Sequence, residues 1–224
     1  MMTTIEQIVD KLRETCAENS RKDQSEAMSA YMKHQFLFYG IKSPERKVIH
    51  KQIHEQQLLK KLQKEYVMLL WKEPQREMQY LAMDHIIKNV KDLQPEDITW
   101  IETCILTKSW WDTVDLLASH AVGHLFKKFT QTRMDWLSKW ENTDELWIIR
   151  TMLIFQLKYR NNTDFEWLTK TILKYSSHQN FFIKKGAGWA LREYAKTNRL
   201  AVIEFVHSHN ELSNLTKKEA LKNL

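Results

Sequence analysis

The chain has 224 residues, with 34 Lys or Arg against 28 Asp or Glu, a formal net charge of +6 and a pI near 9.1. Four glycines and three prolines are too few for a turn-rich β protein, and the length supports a sizeable core in one or two domains. The two cysteines, Cys16 and Cys104, lie too far apart for a metal-binding spacing and read as reduced thiols of an intracellular protein.

Helix signals run from end to end. Ile5, Ile8, Val9, Leu12 and Cys16 follow the i, i+3, i+4, i+7 spacing of an amphipathic helix. A second helix is expected to carry Met28, Tyr31, Met32 and Phe36 and to stop at Gly40 as its C′ residue. Ser43-Pro44 opens a third, with serine as cap and proline in the first turn. Further helices are expected over 57–72, 75–91, 95–106, 110–128, 131–140, 144–159, 164–176, 180–196, 199–209 and 216–223. The joints between them, such as Glu73-Pro74 and Leu93-Gln94-Pro95, are short and lack the Gly/Ser composition of a flexible linker.

The sequence therefore reads as one all-α domain over 1–224, either a globular bundle or a stack of helix pairs of about 35–40 residues each, a HEAT-type period. There is no run of about 18 apolar residues to form a transmembrane helix. The N-terminus lacks the basic-then-apolar pattern of a signal peptide, so a cytoplasmic protein is expected. The basic excess favours a polyanionic partner.

Thr107-Lys108-Ser109-Trp110-Trp111-Asp112-Thr113-Val114-Asp115 carries the densest chemistry. Ser109 is placed to cap a helix with Asp112 three residues on. Trp111 and Asp115, as i and i+4, share a face that capping does not explain. They read either as a core indole beside an exposed acid or as a site, with Trp110 turned to the core. Lys185, Trp189, Arg192 and Lys196 form a second stripe at i+4, i+3 and i+4 steps, either a solvated face or a phosphate-tracking edge. Gly186 and Gly188, costly in a helix, imply that something needs close backbone approach just before Trp189. Arg150 is the lone cation in an apolar stretch with Trp147, Ile154 and Lys158 on its stripe, and it needs a phosphate or a carboxylate partner. His50/His54 and His120/His124 are i, i+4 pairs without a third ligand, so no metal is expected. No glycine-rich phosphate loop or nucleophile motif is present, and no cofactor is expected.

The order of several motifs resembles the AlkD-type DNA alkylation repair proteins, HEAT-like helical-repeat DNA glycosylases. The likeness is carried by Tyr31-Met32-Lys33, Phe36 to Ile41, Ser43-Pro44-Glu45-Arg46, Thr107 to Asp115, Phe155-Gln156-Leu157-Lys158-Tyr159, Phe181-Phe182-Ile183 and Gly188-Trp189 with Leu191 to Asn198. Lys42 departs from the neutral amide that follows Gly-Ile in relatives.

The resemblance implies a solenoid of antiparallel helix pairs whose concave face grips duplex DNA. It also implies catalytic Asp115, Trp111 and Trp189, and DNA contacts from Tyr31, Lys108, Ser109, Arg150, Lys158 and Arg192. The implied reaction is hydrolysis of the N-glycosidic bond of positively charged alkylated purines, of the 3-methyladenine or 7-methylguanine type, in base excision repair. Such a base leaves neutral, and Asp115 would stabilise the cationic sugar or orient water. A monomer working on alkylated duplex DNA is expected. The alternative is a non-catalytic helical-repeat protein that binds damaged or distorted DNA, or a protein-interaction scaffold.

Overall fold

The amphipathic spacing that begins at Ile5 is realised in α1 (Ile5–Glu18), which buries Ile8, Val9, Leu12 and Cys16. Thr4 and Gln7 close a reciprocal capping box at its start. The structure, a computed structural model, describes residues 4–57 and 59–223, with the backbone alone for 54–57. The side chain of His54, one half of the His50/His54 pair, therefore lies outside the described residues. Among the described residues the fold is all-α, with no strand beyond an isolated parallel bridge between Leu37 and Gln75.

The chain groups into two compact units, Met1–Leu93 and Gln94–Leu224, divided at the short Leu93-Gln94-Pro95 joint. The first adds α2 (Lys22–Tyr31), α3 (Ser43–Gln57), α4 (Lys64–Lys72) and α5 (Arg76–Lys88) to α1. Two expectations are corrected here. The helix expected over 57–72 begins only at Lys64. The second helix ends at Tyr31, so Phe36 lies outside it and Gly40 is not its C′ residue. Gly40 instead sits at φ +89°, where a Cβ would fall 2.2 Å from the Arg21 carbonyl oxygen and 2.7 Å from the Ser25 nitrogen. Only glycine fits that turn.

The segment containing Gly40 is fastened by α5. Glu77, fully buried, accepts backbone N–H bonds from Tyr39 (3.0 Å), Gly40 (2.9 Å) and Ile41 (3.1 Å). The buried Arg76 guanidinium stacks 3.8 Å over the Phe36 ring.

The second unit holds α6 (Ile98–Leu106), α7 (Trp111–Leu116), α8 (Gly123–Lys128), α9 (Thr130–Trp140), α10 (Leu146–Ile154), α11 (Phe165–Lys174), α12 (Phe181–Ala195), α13 (Arg199–Ser208) and α14 (Asn214–Ala220). Between α7 and α8 the chain widens into a π turn, Leu117–Val122, so that 111–128 is one helix with an extra residue inserted. The helix expected over 144–159 stops at Ile154, and the chain turns through Tyr159 before a single 3₁₀ turn at Arg160–Asn162. Tyr159 secures this bend by donating to the Gly123 carbonyl at 2.7 Å. The apolar α10 is central, as its composition required, and packs on α6, α7, α9, α11 and α12.

Cys16 and Cys104 are buried and unbridged, and burial pushes both thiols up to about 12, which keeps them protonated and inert at neutral pH. Among the described residues no helix is long and apolar enough to cross a membrane, and no three His, Cys, Asp or Glu side chains cluster as metal ligands would.

Candidate active site

Helix α7 begins one residue later than the capping pattern suggested. Trp110 is the N-cap, with extended backbone and no side-chain cap bond, while Ser109 Oγ donates back to the Ile105 carbonyl at 2.6 Å. The Ser109/Asp112 capping pair is thus corrected, because Ser109 is tied to the end of α6. Lys108, at φ +50°, turns the chain between the two helices. With Trp111 as the first residue of α7, Trp111 and Asp115 do occupy one helical face.

Trp110 packs into an aromatic cluster, 5.2 Å from Phe182 and 5.9 Å from Trp147 between ring centroids. This agrees with an inward-turned Trp110. Its indole nitrogen is buried without a hydrogen-bond partner.

Asp115 does not stand alone. Arg150 on α10 grips it in a fork, Nε donating to Oδ1 at 2.6 Å and an Nη to Oδ2 at 2.8 Å. The other Nη donates to the carbonyl of Phe182. Arg150 is only 4% exposed. The expectation that Arg150 meets a DNA phosphate is therefore corrected: it is the buried counter-ion of Asp115, as an unpaired guanidinium there would be prohibitive. Gly186 leaves room for this fork, since a Cβ would lie 3.1 Å from an Nη of Arg150. Burial raises the Asp115 carboxyl above its ordinary value, while the Arg150 fork opposes that rise.

On its solvent side Asp115 borders an open cavity of about 560 Å³. Trp189 on α12 lines it too, as do Lys158 and Arg160 from the chain after α10, His120 from the π turn and Glu193 from α12. The structure thus brings together Asp115, Trp189 and Lys158. It does not place Trp111 in the cavity lining; that indole is half-buried at the start of α7. Tyr31, 70% exposed, belongs to the first unit, where it lines a separate apolar pocket with Met28, Phe38 and Tyr80.

The stripe on α12 is less cationic than its sequence. Glu219 on α14 binds Lys185 at 2.9 Å and Arg192 at 2.7 Å. Arg192, expected on DNA, also ties α12 to α14 through one Nη. These two cations, Lys185 first, hold the Glu219 carboxyl below the ordinary carboxylate range. Because the folded value is depressed, the tie contributes stability above the unfolded carboxylate pKa and loses it as pH falls through the lower folded one.

Gly188 also serves this packing: a Cβ there would lie 2.5 Å from Glu219 Cβ and 2.7 Å from the Thr216 carbonyl oxygen. The glycines before Trp189 thus admit Arg150 and α14 rather than a ligand. Gly188→Ala is expected to lower stability by about 1–3 kcal/mol through overpacking, read as a drop in the thermal midpoint. An unchanged midpoint would show that α14 can shift at no cost.

Three titratable members of the cavity carry no functional signal in the sequence reading, and in different ways. Glu193 lay inside a matching motif without a role, His120 was weighed only as half of a metal pair, and Arg160 carried no signal.

A family model described as DNA alkylation repair enzyme matches residues 12–224. A solved structure titled as a predicted DNA alkylation repair enzyme from Enterococcus faecalis is similar at 31% identity, covering 92% of this chain and 96% of that one, with a TM-score of 0.83. Comparison with curated proteins gives no match.

Proposed function

The chain belongs to the DNA alkylation repair enzyme family, and from that premise we propose that it is a DNA glycosylase that hydrolyses the N-glycosidic bond of positively charged alkylated purines in duplex DNA. The observation that carries this reading is the cavity shared by a mostly buried carboxylate, Asp115, an indole, Trp189, and a cation, Lys158.

An N3- or N7-alkylated purine is already cationic, so it departs neutral without protonation. What the protein must stabilise is the positive charge that develops on the sugar. A carboxylate about 4 Å away contributes roughly 4 kcal/mol at an effective dielectric of 20. The indole face of Trp189 adds about 0.5–2 kcal/mol through cation–π attraction. Trp111 keeps its proposed part from the same helix face as Asp115. Lys158, with Tyr31, Lys108 and Ser109, is assigned to the DNA backbone, where such contacts set affinity and register rather than sequence preference. The enzyme is expected to act as a HEAT-like monomer in base excision repair, in the DNA-containing cytoplasm, without metal or cofactor.

Incubation of the purified protein with methylated duplex DNA should release free 7-methylguanine, detected by chromatography. Binding without release would establish the non-catalytic alternative, and absence of salt-dependent DNA affinity would favour the scaffold. Lys158→Ala should weaken binding alike across sequences and lower the salt slope by about one.

A further inference from the structure

The π turn that follows Asp115 carries His120 into the cavity wall, and the bonds around its ring fix which nitrogen can do chemistry. Nδ1 lies 3.2 Å from the Leu116 carbonyl oxygen and 3.2 Å from Ser119 Oγ. The carbonyl can only accept. Ser119 in turn donates its hydroxyl proton to the Asp115 carbonyl at 2.7 Å, so towards His120 it too presents an acceptor. Two acceptors therefore flank Nδ1, which must carry the proton, and the neutral ring keeps its lone pair on Nε2.

The charged groups that share the cavity are Asp115 from the same helix, Lys158 and Arg160 from the chain after α10, and Glu193 from α12. The two further helices packed on the π turn add no free charge of their own. On α10, Arg150 is held by Asp115; on α6, Glu102 binds Lys139 and Trp140. Burial, with Lys158 adding to it, holds the imidazole below its ordinary value, which favours the neutral ring.

We propose that His120 accepts the proton of the water that attacks the anomeric carbon, leaving Asp115 as the charge-stabilising group alone. The inference rests on the glycosylase reading and divides its two tasks between two residues. As the bond from C1′ to the purine nitrogen breaks, its electron pair goes to the base, which leaves neutral. A water oxygen lone pair forms the new bond to C1′, and the proton lost from that water moves to Nε2. The resulting imidazolium then passes its proton to solvent. Charge balances throughout, since the positive charge of the alkylated purine ends as that proton. Asp115 is less suited to the second task, because the Arg150 fork takes one lone pair on each of its oxygens and opposes its taking up a proton.

The test is single-turnover release of 7-methylguanine by wild type, His120→Ala, His120→Gln and Asp115→Asn across pH, in H₂O and D₂O. His120→Ala is expected to slow excision about tenfold or more above neutral pH and to abolish the solvent isotope effect. Added imidazole should restore rate in His120→Ala in proportion to its neutral form, a rescue that a structural role would not give. His120→Gln keeps the side-chain volume and should be slow without rescue. Wild-type rate and isotope effect in both His120 variants would overturn the proposal while leaving the glycosylase standing. Loss of rate in His120→Ala without imidazole rescue or a change of isotope effect would overturn it as well. If the wild type itself releases no base, both readings fall together.

Discussion

Asp115→Asn is expected to slow release of 7-methylguanine about a thousandfold in single turnover, and pairing with Arg150 decides how that loss is divided. With a cationic sugar about 4 Å from the carboxylate, the attraction is roughly 4 kcal/mol at an effective dielectric of 20. The guanidinium behind it, about 8 Å from the sugar, returns roughly 2 kcal/mol of repulsion. The pair therefore favours the transition state by only about 2 kcal/mol, near thirtyfold. Removing the acid alone changes the sign, because an unopposed cation is left behind the sugar. The double change Asp115→Asn with Arg150→Met removes both charges and should recover to about thirtyfold below wild type.

That recovery separates electrostatic catalysis from simple damage to the fold. Breaking a buried pair by removing one partner costs about 3–5 kcal/mol of stability, so Asp115→Asn must be checked for native circular dichroism. A double variant no faster than Asp115→Asn would show that Asp115 acts by something other than its charge.

Arg150→Met alone makes a further distinction. Burial already raises the Asp115 carboxyl, and Arg150 is what opposes that rise. The rate falls on the acid side as the carboxylate takes up a proton. Without Arg150 this fall should begin at higher pH, while DNA affinity and its salt slope stay near wild type. A lowered salt slope would return Arg150 to the phosphate backbone.

The elements that could be read in the sequence are those set by local rules. The apolar repeat of α1, the proline-opened α3 and the long helix expected over 110–128 follow from local spacing, and all are present, the last beginning at Trp111 without its expected serine cap. The shared face of Trp111 and Asp115 follows from the same spacing. What could not be read depends on packing between distant segments. Arg150 meets Asp115 across 35 residues, and only the seating of α10 on α7 decides that its partner is a carboxylate rather than a phosphate. The close approach that Gly188 calls for finds its cause only when α14 is seen against it. The π turn has no sequence signature, yet it places His120 in the cavity wall. Family resemblance supplied Trp189, which no spacing rule connects to Asp115; the fold then set both on one cavity.

Glu77→Gln should have a large effect on stability, and its cause lies wholly in the first unit. The three N–H groups of Tyr39, Gly40 and Ile41 point at one carboxylate and are buried with it. Bonds to a charged acceptor contribute about 1.5–3 kcal/mol each, against about 0.5–1.5 for a neutral one. Glutamine keeps one oxygen, which can hold Gly40 and Ile41 more weakly, and turns an NH₂ group towards the Tyr39 N–H. Two donors then face each other without water. A loss of about 3–4 kcal/mol follows, a large part of the stability of a unit this size. The thermal midpoint of that unit should drop on the order of 15 °C. Asp115, Trp189 and His120 all belong to the second unit, so at low temperature the folded fraction should keep its single-turnover rate within a fewfold. An unmoved melting curve would mean that the turn around Gly40 opens and lets water take over the three donors. Glu77 would then be a local clasp on the Phe36–Ile41 segment rather than a support for the whole unit.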